Sequence, residues 1–598
     1  MNSREIDKLI ADVTKPLRYA GGEFNTPDMD KPCKVRACLC FPDIYEVGMS
    51  NLGVRILYHM LNDRADTVCE RSFMPWTDMA AKLKSSGIPL FSLETKRGLK
   101  EFDFVGFSVQ YELAYTNILH MLELAGIPLF AKDRDESWPL IVAGGPSMAN
   151  PEPFADFFDV MLVGEGETCL NELTDLIVDC KSKGIGRKTL LERARAIQGA
   201  VVPSLDVPTY GADGLITGFS REVKKAVVPN FETAYYPTKP LVPSIEIVHD
   251  RAVLELYRGC ANGCRFCQAG FYYRPIRRRS IDTLVKQAKE TIKNTGFTEL
   301  SLSSLSSGDY VGLTELIDRL KEFTAPRGVR LSLPSLRVNS FESYYASESR
   351  KSSLTFAPEA GSDRLRRVIN KNITEDEILE SITSAFKMGY TSVKLYFMLG
   401  LPTETMEDVK GIPELVTKIK NLYLQNRRGS RDFKINVSTT VFIPKAFTPF
   451  QWEAQADIDD IKAKQSYLCG ALKMHGVAYS WHDYDMAAME AVFARGGREL
   501  SKVLVRAKEL GAMFDGWSDY FKMDIWRQAF ADCNMDIDKW RKAQDTEGVL
   551  PFEYINIGVR RDYLLAEREK AYRGECTEGC NKVCKGCGAN VSGSCEQC

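Results

Sequence analysis

The 598-residue chain is long enough for two to four domains, because a single hydrophobic core rarely grows beyond about 250–300 residues. Its 44% hydrophobic and 26% charged residues are typical of a globular protein. The formal net charge of -2 excludes a global electrostatic attraction to nucleic acid or membrane. The charged N-terminus lacks the apolar core of a secretory signal, and no apolar run reaches the ~18–20 residues of a membrane span. We therefore expect a cytoplasmic protein that does not bind a membrane.

Residues 1–30 form a polar leader, and residues 31–185 are predicted to form the first domain. In that domain, strand-length apolar runs such as VRACLCF (35–41) and PLIVAGG (139–145) alternate with helical patterns. This alternation predicts an α/β fold with a doubly wound parallel sheet. Glycines stand where the predicted strands end, and the carboxyl edge of such a sheet is where ligands bind.

The rest of the chain divides into four further regions. Residues 186–248, rich in valine and proline, are interpreted as a linker with short strands. Residues 249–455 contain six predicted β/α units, which indicate a partial TIM barrel with catalytic groups at the carboxyl ends of its strands. Residues 456–575 are predicted to form a helical domain without a further strand series, and residues 576–598 to form a cysteine-rich, metal-binding tail.

The 17 cysteines are unevenly distributed, and three of them form the pattern Cys260-x-x-x-Cys264-x-x-Cys267. In a reducing compartment such a cluster favours metal binding over disulfides. Three thiolates on one loop can hold three irons of a 4Fe–4S cluster and leave the fourth iron open. An open iron can chelate S-adenosylmethionine (SAM), whose reductive cleavage gives a 5′-deoxyadenosyl radical. A zinc loop is the alternative, which the position after the first barrel strand disfavours.

The cysteine loop, with its aromatic Phe266, and the barrel after it resemble the radical SAM superfamily. The resemblance implies that Phe266 lies beside the adenine of SAM and that Glu359 is a polar SAM contact. Residues 306–309 occupy the place of a Gly-Gly-Glu motif that receives the methionine amine, and GLPTET (400–405) resembles a GxPxET loop. The SAM contacts implied in these two segments are Ser307, Gly308, Asp309, Gly400 and Pro402.

The N-terminal domain resembles the cobalamin-binding domain found upstream of many such barrels, through VGFSV (105–109), GGP (144–146) and DVMLVGEGET (159–168). Residues from about 30 to 590 resemble one family of cobalamin-binding radical SAM proteins. The motif that supplies an axial histidine to cobalt is missing, so cobalamin would be held without a histidine ligand. A sheet that has lost the cofactor is the alternative. The cobalamin contacts that the resemblance implies are Ser108, Gly144, Gly145, Gly164, Glu165 and Gly166.

The tail repeats the cluster spacing in Cys580-x-x-x-Cys584-x-x-Cys587, with Cys576 before it and Cys595 and Cys598 after it. A second iron–sulfur cluster and a structural zinc both fit this pattern. A metal-free tail is disfavoured, because six exposed thiols would oxidise readily.

Three functions are compatible with the sequence. The first is cobalamin-dependent radical methylation of an unactivated carbon; the second is methylthiotransferase-like sulfur insertion into RNA or protein. The third is a non-enzymatic iron–sulfur redox sensor. The substrate would be RNA, a peptide or a small molecule, and a flavodoxin- or ferredoxin-type protein would donate electrons. The basic run from Arg274 to Arg279 either meets an anionic substrate or, as we favour here, forms a solvated loop with ion pairs.

Overall fold

The computed structural model describes residues 3–211, 216–332, 354–426, 433–581 and 583–589. Its first unit is a six-stranded sheet in the order β2-β1-β3-β4-β5-β6. All neighbours pair in parallel except β5 and β6, which pair antiparallel. The first five strands therefore follow the flavodoxin-like order, which confirms the predicted doubly wound sheet. The strands are β1 (Val35–Phe41), β2 (Thr67–Phe73), β3 (Phe104–Ser108), β4 (Leu140–Gly144), β5 (Val160–Leu162) and β6 (Ala200–Val201).

Both faces of this sheet are covered by helices, because its strands carry apolar side chains on both sides. One core contains Leu39 of β1 together with Leu170 and Leu173. The other joins Phe107 of β3 to residues from the C-terminal helices, such as Phe493 and Trp526. The helices before residue 200 are Ser3–Ala11, Leu17–Ala20, Tyr45–Gly48, Leu52–Asn62, Thr77–Ser86, Tyr115–Leu124, Gly166–Lys183 and Arg187–Ala194.

In its described residues, the second unit has seven parallel strands in two sheets, ordered β7-β8-β9 and β10-β11-β12-β13. They are β7 (Ala252–Glu255), β8 (Glu299–Ser303), β9 (Arg330–Ser332), β10 (Leu354–Glu359), β11 (Ser392–Leu399), β12 (Lys434–Val441) and β13 (Val477–Trp481). Helices lie between the successive strands whose connections are described, as expected of a partial barrel. They are Gln268–Tyr272, Ile281–Thr295, Leu313–Thr324, Asp363–Val368, Glu375–Lys387, Met406–Asn426 and Ile458–Ala471.

Two strands lie beyond the predicted region boundaries. Strand β6 pairs with the first sheet, although it lies in residues 186–248, which are interpreted as a linker with short strands. Strand β13 extends a barrel sheet into residues 456–575, where no further strand series is predicted. Helices Tyr484–Arg495, Leu500–Glu509, Met523–Asp532 and Arg561–Tyr572 follow it.

Among the described residues, three short pairs of strands lie outside these sheets. Pro208–Tyr210 pairs with Ile216–Phe219, and Val223–Lys224 pairs with Ile555–Asn556. Tyr257–Arg258 pairs with Arg277–Arg278 on either side of the cysteine loop. In the described part of the chain, no helix has both the length and the apolar character that crossing a bilayer would require.

Candidate functional site

The cysteine loop leaves the first barrel strand and turns tightly at its start. Gly259 has a φ of +89°, and a Cβ atom there would lie 2.7 Å from the carbonyl oxygen of Pro275. This close approach of two backbone segments explains why glycine precedes Cys260. Within the loop, the Cys267 amide donates to the Cys264 carbonyl over 3.1 Å. Cys260 is buried, and the other two cysteines are half-buried.

The three thiols influence one another electrostatically. Burial and, to a lesser degree, the Cys264 and Cys260 thiols raise the pKa of Cys267 to about 12, while the Gly270 amide and Lys371 oppose the rise. A bound metal would reverse this balance, since cations stabilise thiolates. Among the described residues, no group of three or more metal-ligating side chains is already gathered in a form that could hold a metal ion. Three thiols on one short loop nevertheless fit an iron–sulfur cluster in their chemistry.

The predicted SAM contacts after strand β8 lie against the cysteine loop. The Asp309 carboxylate accepts hydrogen bonds from the Asn262 amide at 3.1 Å and from the Ser306 hydroxyl at 2.7 Å. The side chains of Ser307 and Ser304 are hydrogen-bonded at 2.7 Å. The segment that includes Gly308 forms a single helical turn, 307–309. Asp309 thus links the β8 loop to the cysteine loop.

The other predicted SAM contacts lie at the carboxyl ends of β10 and β11. Glu359 ends β10 with a φ of +67° and forms a 3.1 Å ion pair with Lys371. Phe266 packs against a small apolar cluster that includes Leu401. The chain neighbours of Leu401 are the predicted SAM contacts Gly400 and Pro402, and Pro402 is half-buried. The Gly400 amide donates to the Glu404 carboxylate over 2.7 Å. These side chains therefore lie around one end of the barrel.

A cavity of about 460 Å³ lies between the carboxyl edge of the N-terminal sheet and the barrel. This volume is in the range of cofactor pockets. All six predicted cobalamin contacts line it, namely Ser108, Gly144, Gly145, Gly164, Glu165 and Gly166. The opposite wall comes from the barrel and includes Glu255, Tyr257, Arg258, Gly259 and Ser303 to Leu305. None of the five histidines, all of which are described, lines the cavity.

The barrel side of this cavity contains a buried ion cluster that the sequence analysis missed. Arg277 pairs with Glu165 through two hydrogen bonds of 2.6 and 2.7 Å. Arg258 pairs with Glu167 at 2.5 Å and with Glu255 at 2.8 Å. Arg277 holds the pKa of Glu165 below its usual value, against the effect of burial. Arg258, two residues before Cys260, thus connects the glycine-rich loop after β5 to the cysteine loop.

The basic run is not a solvated loop, and that interpretation is wrong. Arg274, Arg277 and Arg279 are only 4%, 4% and 1% exposed. Burial of a guanidinium requires a counter-charge, and Glu165 provides it for Arg277. Arg274 lies over the Phe271 ring and donates to the Gly270 carbonyl over 3.1 Å. The Cys587 and Cys580 thiols and the Tyr563 hydroxyl raise the pKa of Arg274, against the effect of burial.

The cysteine-rich tail packs against the cysteine loop. The Cys580 amide donates to the Ala261 carbonyl over 2.9 Å, and Thr577 is hydrogen-bonded to Asn370. Asn370 also donates to the Gly263 carbonyl over 3.0 Å. Cys576 is exposed, and Cys580, Cys584 and Cys587 are half-buried. The remaining predicted ligands, Cys595 and Cys598, lie outside the described residues.

Two family models match the sequence. Residues 53–203 match the model described as radical SAM proteins, N-terminal, and residues 254–416 match that of the radical SAM superfamily. The first match covers most of the sheet, and the second begins in β7 and includes the cysteine loop.

Individual proteins are also similar to this chain. It is 30% identical over 498 residues to the uncharacterized protein MJ0966 of Methanocaldococcus jannaschii, covering 83% of this chain and 96% of that protein. It is 26% identical over 169 residues to a probable threonylcarbamoyladenosine tRNA methylthiotransferase of Archaeoglobus fulgidus, covering 26% and 39% of the two chains. The solved structure of the radical SAM methyltransferase TsrM from Kitasatospora setae, with cobalamin and a 4Fe–4S cluster bound, matches with 14% identity and a TM-score of 0.45. That match covers 68% of this chain and 72% of the other.

Proposed function

The chain belongs to the radical SAM superfamily, and from this premise we propose that it is a cobalamin-dependent methyltransferase acting on an unactivated carbon. The observation that carries the proposal is the shared cavity. Its walls are the ligand-binding edge of a doubly wound sheet and the barrel strand that leads into the cysteine loop. Such a cavity would bring a sheet-bound cofactor and a loop-bound cluster to one substrate.

Cys260, Cys264 and Cys267 would hold the 4Fe–4S cluster through their thiolates. When bound, the cluster would supply the electron that breaks a carbon–sulfur bond of SAM, and cobalamin would supply the methyl group. The tight turn at Gly259 fixes the start of the loop, and the Asn262–Asp309 hydrogen bond fixes its middle. These contacts would hold the cluster in a constant position relative to the barrel.

The SAM molecule would lie across the carboxyl ends of the barrel strands. Phe266 is only partly buried beside Leu401, so its ring offers a surface for an adenine. Glu359, held by Lys371, would accept a hydrogen bond from the nucleoside. Ser307 to Asp309 would receive the methionine amine, because this turn lies beside the cysteine loop.

Cobalamin would occupy the sheet side of the cavity. Gly144 has space there, because a Cβ atom would meet no atom closer than 3.8 Å. The paired carboxylate of Glu165 is neutralised by Arg277 and so would not repel an anionic group of the cofactor. With no histidine along the lining, the chain would bind cobalamin without a histidine ligand.

Sulfur insertion is the second candidate, favoured by the similarity to a tRNA methylthiotransferase. It would need a second cluster, for which the tail cysteines are the candidate ligands. The RNA, peptide or small-molecule substrate, the flavodoxin- or ferredoxin-type donor and the cytoplasmic location stay predictions from the sequence.

The proposal is tested on the full chain, purified and reconstituted without oxygen. With SAM and a reductant, we expect 5′-deoxyadenosine from the wild type and from the control Cys533→Ser, and none from Cys260→Ala. We also expect corrinoid absorbance to be retained after gel filtration. Intact clusters that yield no 5′-deoxyadenosine would exclude radical chemistry and favour the redox sensor. Radical activity without any corrinoid affinity would exclude cobalamin-dependent methylation and leave sulfur insertion.

A further inference from the structure

Tyr273 follows the cysteine loop and lines the cavity between the N-terminal sheet and the barrel. Its neighbours along the chain are fixed by hydrogen bonds from other segments. The Lys225 ammonium donates to the carbonyl oxygens of Tyr272 and Arg274, the latter over 2.8 Å. The Gly164 amide, at the edge of the sheet, donates to the Tyr272 hydroxyl over 3.1 Å. These bonds on both sides hold the backbone of Tyr273 in place beside the cavity.

The ring of Tyr273 is held as well, but the protein does not use its hydroxyl. The ring packs edge-on against that of Tyr272, with the centroids 5.3 Å apart and the planes at 89°. The side chain is half-buried, and within the described residues the Tyr273 hydroxyl has no hydrogen-bond partner. A tyrosine hydroxyl that is withdrawn from water usually has such a partner. A fixed ring whose hydroxyl is open to a cavity is thus preorganised for a ligand.

Ser303 carries a second hydroxyl of this kind on the barrel side of the cavity. It ends strand β8, is half-buried, and has no hydrogen bond at its hydroxyl within the described part of the chain. The remaining polar side chains on this side bond within the protein: Glu255 and Arg258 to each other, Tyr257 to Ser306, and Ser304 to Ser307. Among the described residues of the barrel side, Tyr273 and Ser303 are therefore the polar side chains available to a ligand in the cavity.

The rest of the lining indicates the shape of that ligand. The sheet side presents apolar side chains such as Leu39 and Val142, and Leu305 on the barrel side is 46% exposed. Such walls favour a ligand with broad apolar faces, since contact removes apolar surface from water. The two hydroxyls require hydrogen-bonding groups at the edge of the same ligand. A corrin ring has both features, because amide side chains surround its apolar macrocycle.

We propose that Tyr273 and Ser303 bind a corrinoid from the barrel side, each through a hydrogen bond to a peripheral amide of the ring. The barrel and the sheet would then hold the cofactor from opposite sides. This inference rests on the proposed cobalamin binding and adds barrel residues to the sheet residues already named for it. Because Tyr273 is six residues from Cys267, a corrinoid held in this way would lie beside the segment that leaves the cysteine loop.

The test measures binding of hydroxocobalamin to the full chain, reconstituted without oxygen, by ultrafiltration and absorbance. Tyr273→Phe and Ser303→Ala each remove one hydroxyl and should each weaken binding about 3- to 10-fold, as expected for one lost hydrogen bond. The matched control is Tyr467→Phe, which changes a half-buried tyrosine on the helix Ile458–Ala471, away from the cavity lining, and should bind like the wild type. Iron content and the melting temperature without corrinoid should be equal in all four proteins.

The outcomes separate this inference from the proposed function. Unchanged affinity in both Tyr273→Phe and Ser303→Ala would overturn the inference and leave cobalamin binding intact. A wild type that binds no hydroxocobalamin would overturn both.

A second measurement distinguishes a direct contact from a structural effect. Derivatives of hydroxocobalamin in which one peripheral amide is hydrolysed to a carboxylate are bound to the wild type and to Tyr273→Phe. If the phenol bonds to one amide, the effects of removing the hydroxyl and of changing that amide should depart from additivity by at least about 2-fold in affinity. Additive effects for every derivative would contradict a direct contact, even if Tyr273→Phe binds hydroxocobalamin more weakly.

Discussion

Gly145→Ala is expected to distort the cavity edge at the end of β4. Gly145 has φ and ψ angles of 113° and -178°, a region that is essentially restricted to glycine. A Cβ atom would lie 2.5 Å from the Val109 carbonyl oxygen and 3.1 Å from the Val109 amide nitrogen. These are backbone atoms and cannot rotate away. Conformational strain and overpacking each cost about 1–3 kcal/mol, so the combined cost is about 2–6 kcal/mol.

Gly144→Ala is the matched control, because it lines the same cavity with the nearest atom at 3.8 Å. The assay is hydrogen exchange of peptides from β3 and β4, which reports local opening in a protein too large for two-state unfolding. We expect Gly145→Ala to accelerate exchange there by more than about 20-fold and Gly144→Ala to change it little. Unchanged exchange in Gly145→Ala, or equal acceleration in both variants, would refute the steric argument.

Three further predictions concern individual charged side chains. Arg258→Gln leaves the carboxylates of Glu167 and Glu255 without their cation and should lower the free energy of unfolding by about 3–5 kcal/mol, which is measured as a lower melting temperature. Arg258→Lys should restore the melting temperature only in part, and full restoration would contradict the need for a planar guanidinium. Burial raises the pKa of Asp515 from 3.8 to about 6, so its contribution to stability is present below about pH 4 and lost as the pH rises through 6. The melting temperature of Asp515→Asn should therefore rise relative to that of the wild type between pH 4 and pH 6, and a constant difference between the two would contradict this. Glu359→Gln should weaken SAM binding about tenfold in calorimetry at equal iron content, and unchanged affinity would remove Glu359 from the SAM site.

Much of the fold follows from local apolar patterns, and strand β13 shows where such patterns fail. Apart from β9, of which only Arg330–Ser332 is described, the predicted barrel strands each bury two or more residues and stand out in the sequence. Strand β13 (Val477–Trp481) lies at the end of its sheet, and most of its residues are exposed or half-buried, with Trp481 49% exposed. Its sequence therefore lacks the continuous apolar run of a central strand. Strand β6 has two residues, too few to show a period.

The position of the cavity was predictable because strand order and glycine placement determine the ligand-binding edge of such a sheet. The barrel wall was not predictable in the same way. Arg277 belongs to a strongly basic stretch, and local sequence predicts that such residues are solvated. Arg258 follows an apolar strand, and nothing in its neighbourhood along the chain indicates its partners on the other domain. The partners of the two arginines, Glu165 and Glu167, lie at the start of the helix Gly166–Lys183, about 90 to 110 residues earlier in the chain. Only the tertiary structure shows that these charges neutralise one another.

This pairing makes the two walls of the cavity depend on each other. Without Glu165 and Glu167, Arg258 and Arg277 would be buried with less counter-charge, and without the arginines the two carboxylates would face a largely apolar sheet edge. Leaving one such charge unpaired costs several kcal/mol, so the walls are most stable when docked. Because Arg258 is two residues from Cys260, its ion pairs with Glu165 and Glu167 tie the segment after β5 to the start of the cysteine loop. Ion pairs therefore link the proposed iron–sulfur site in the cysteine loop to the proposed cobalamin site at the sheet edge.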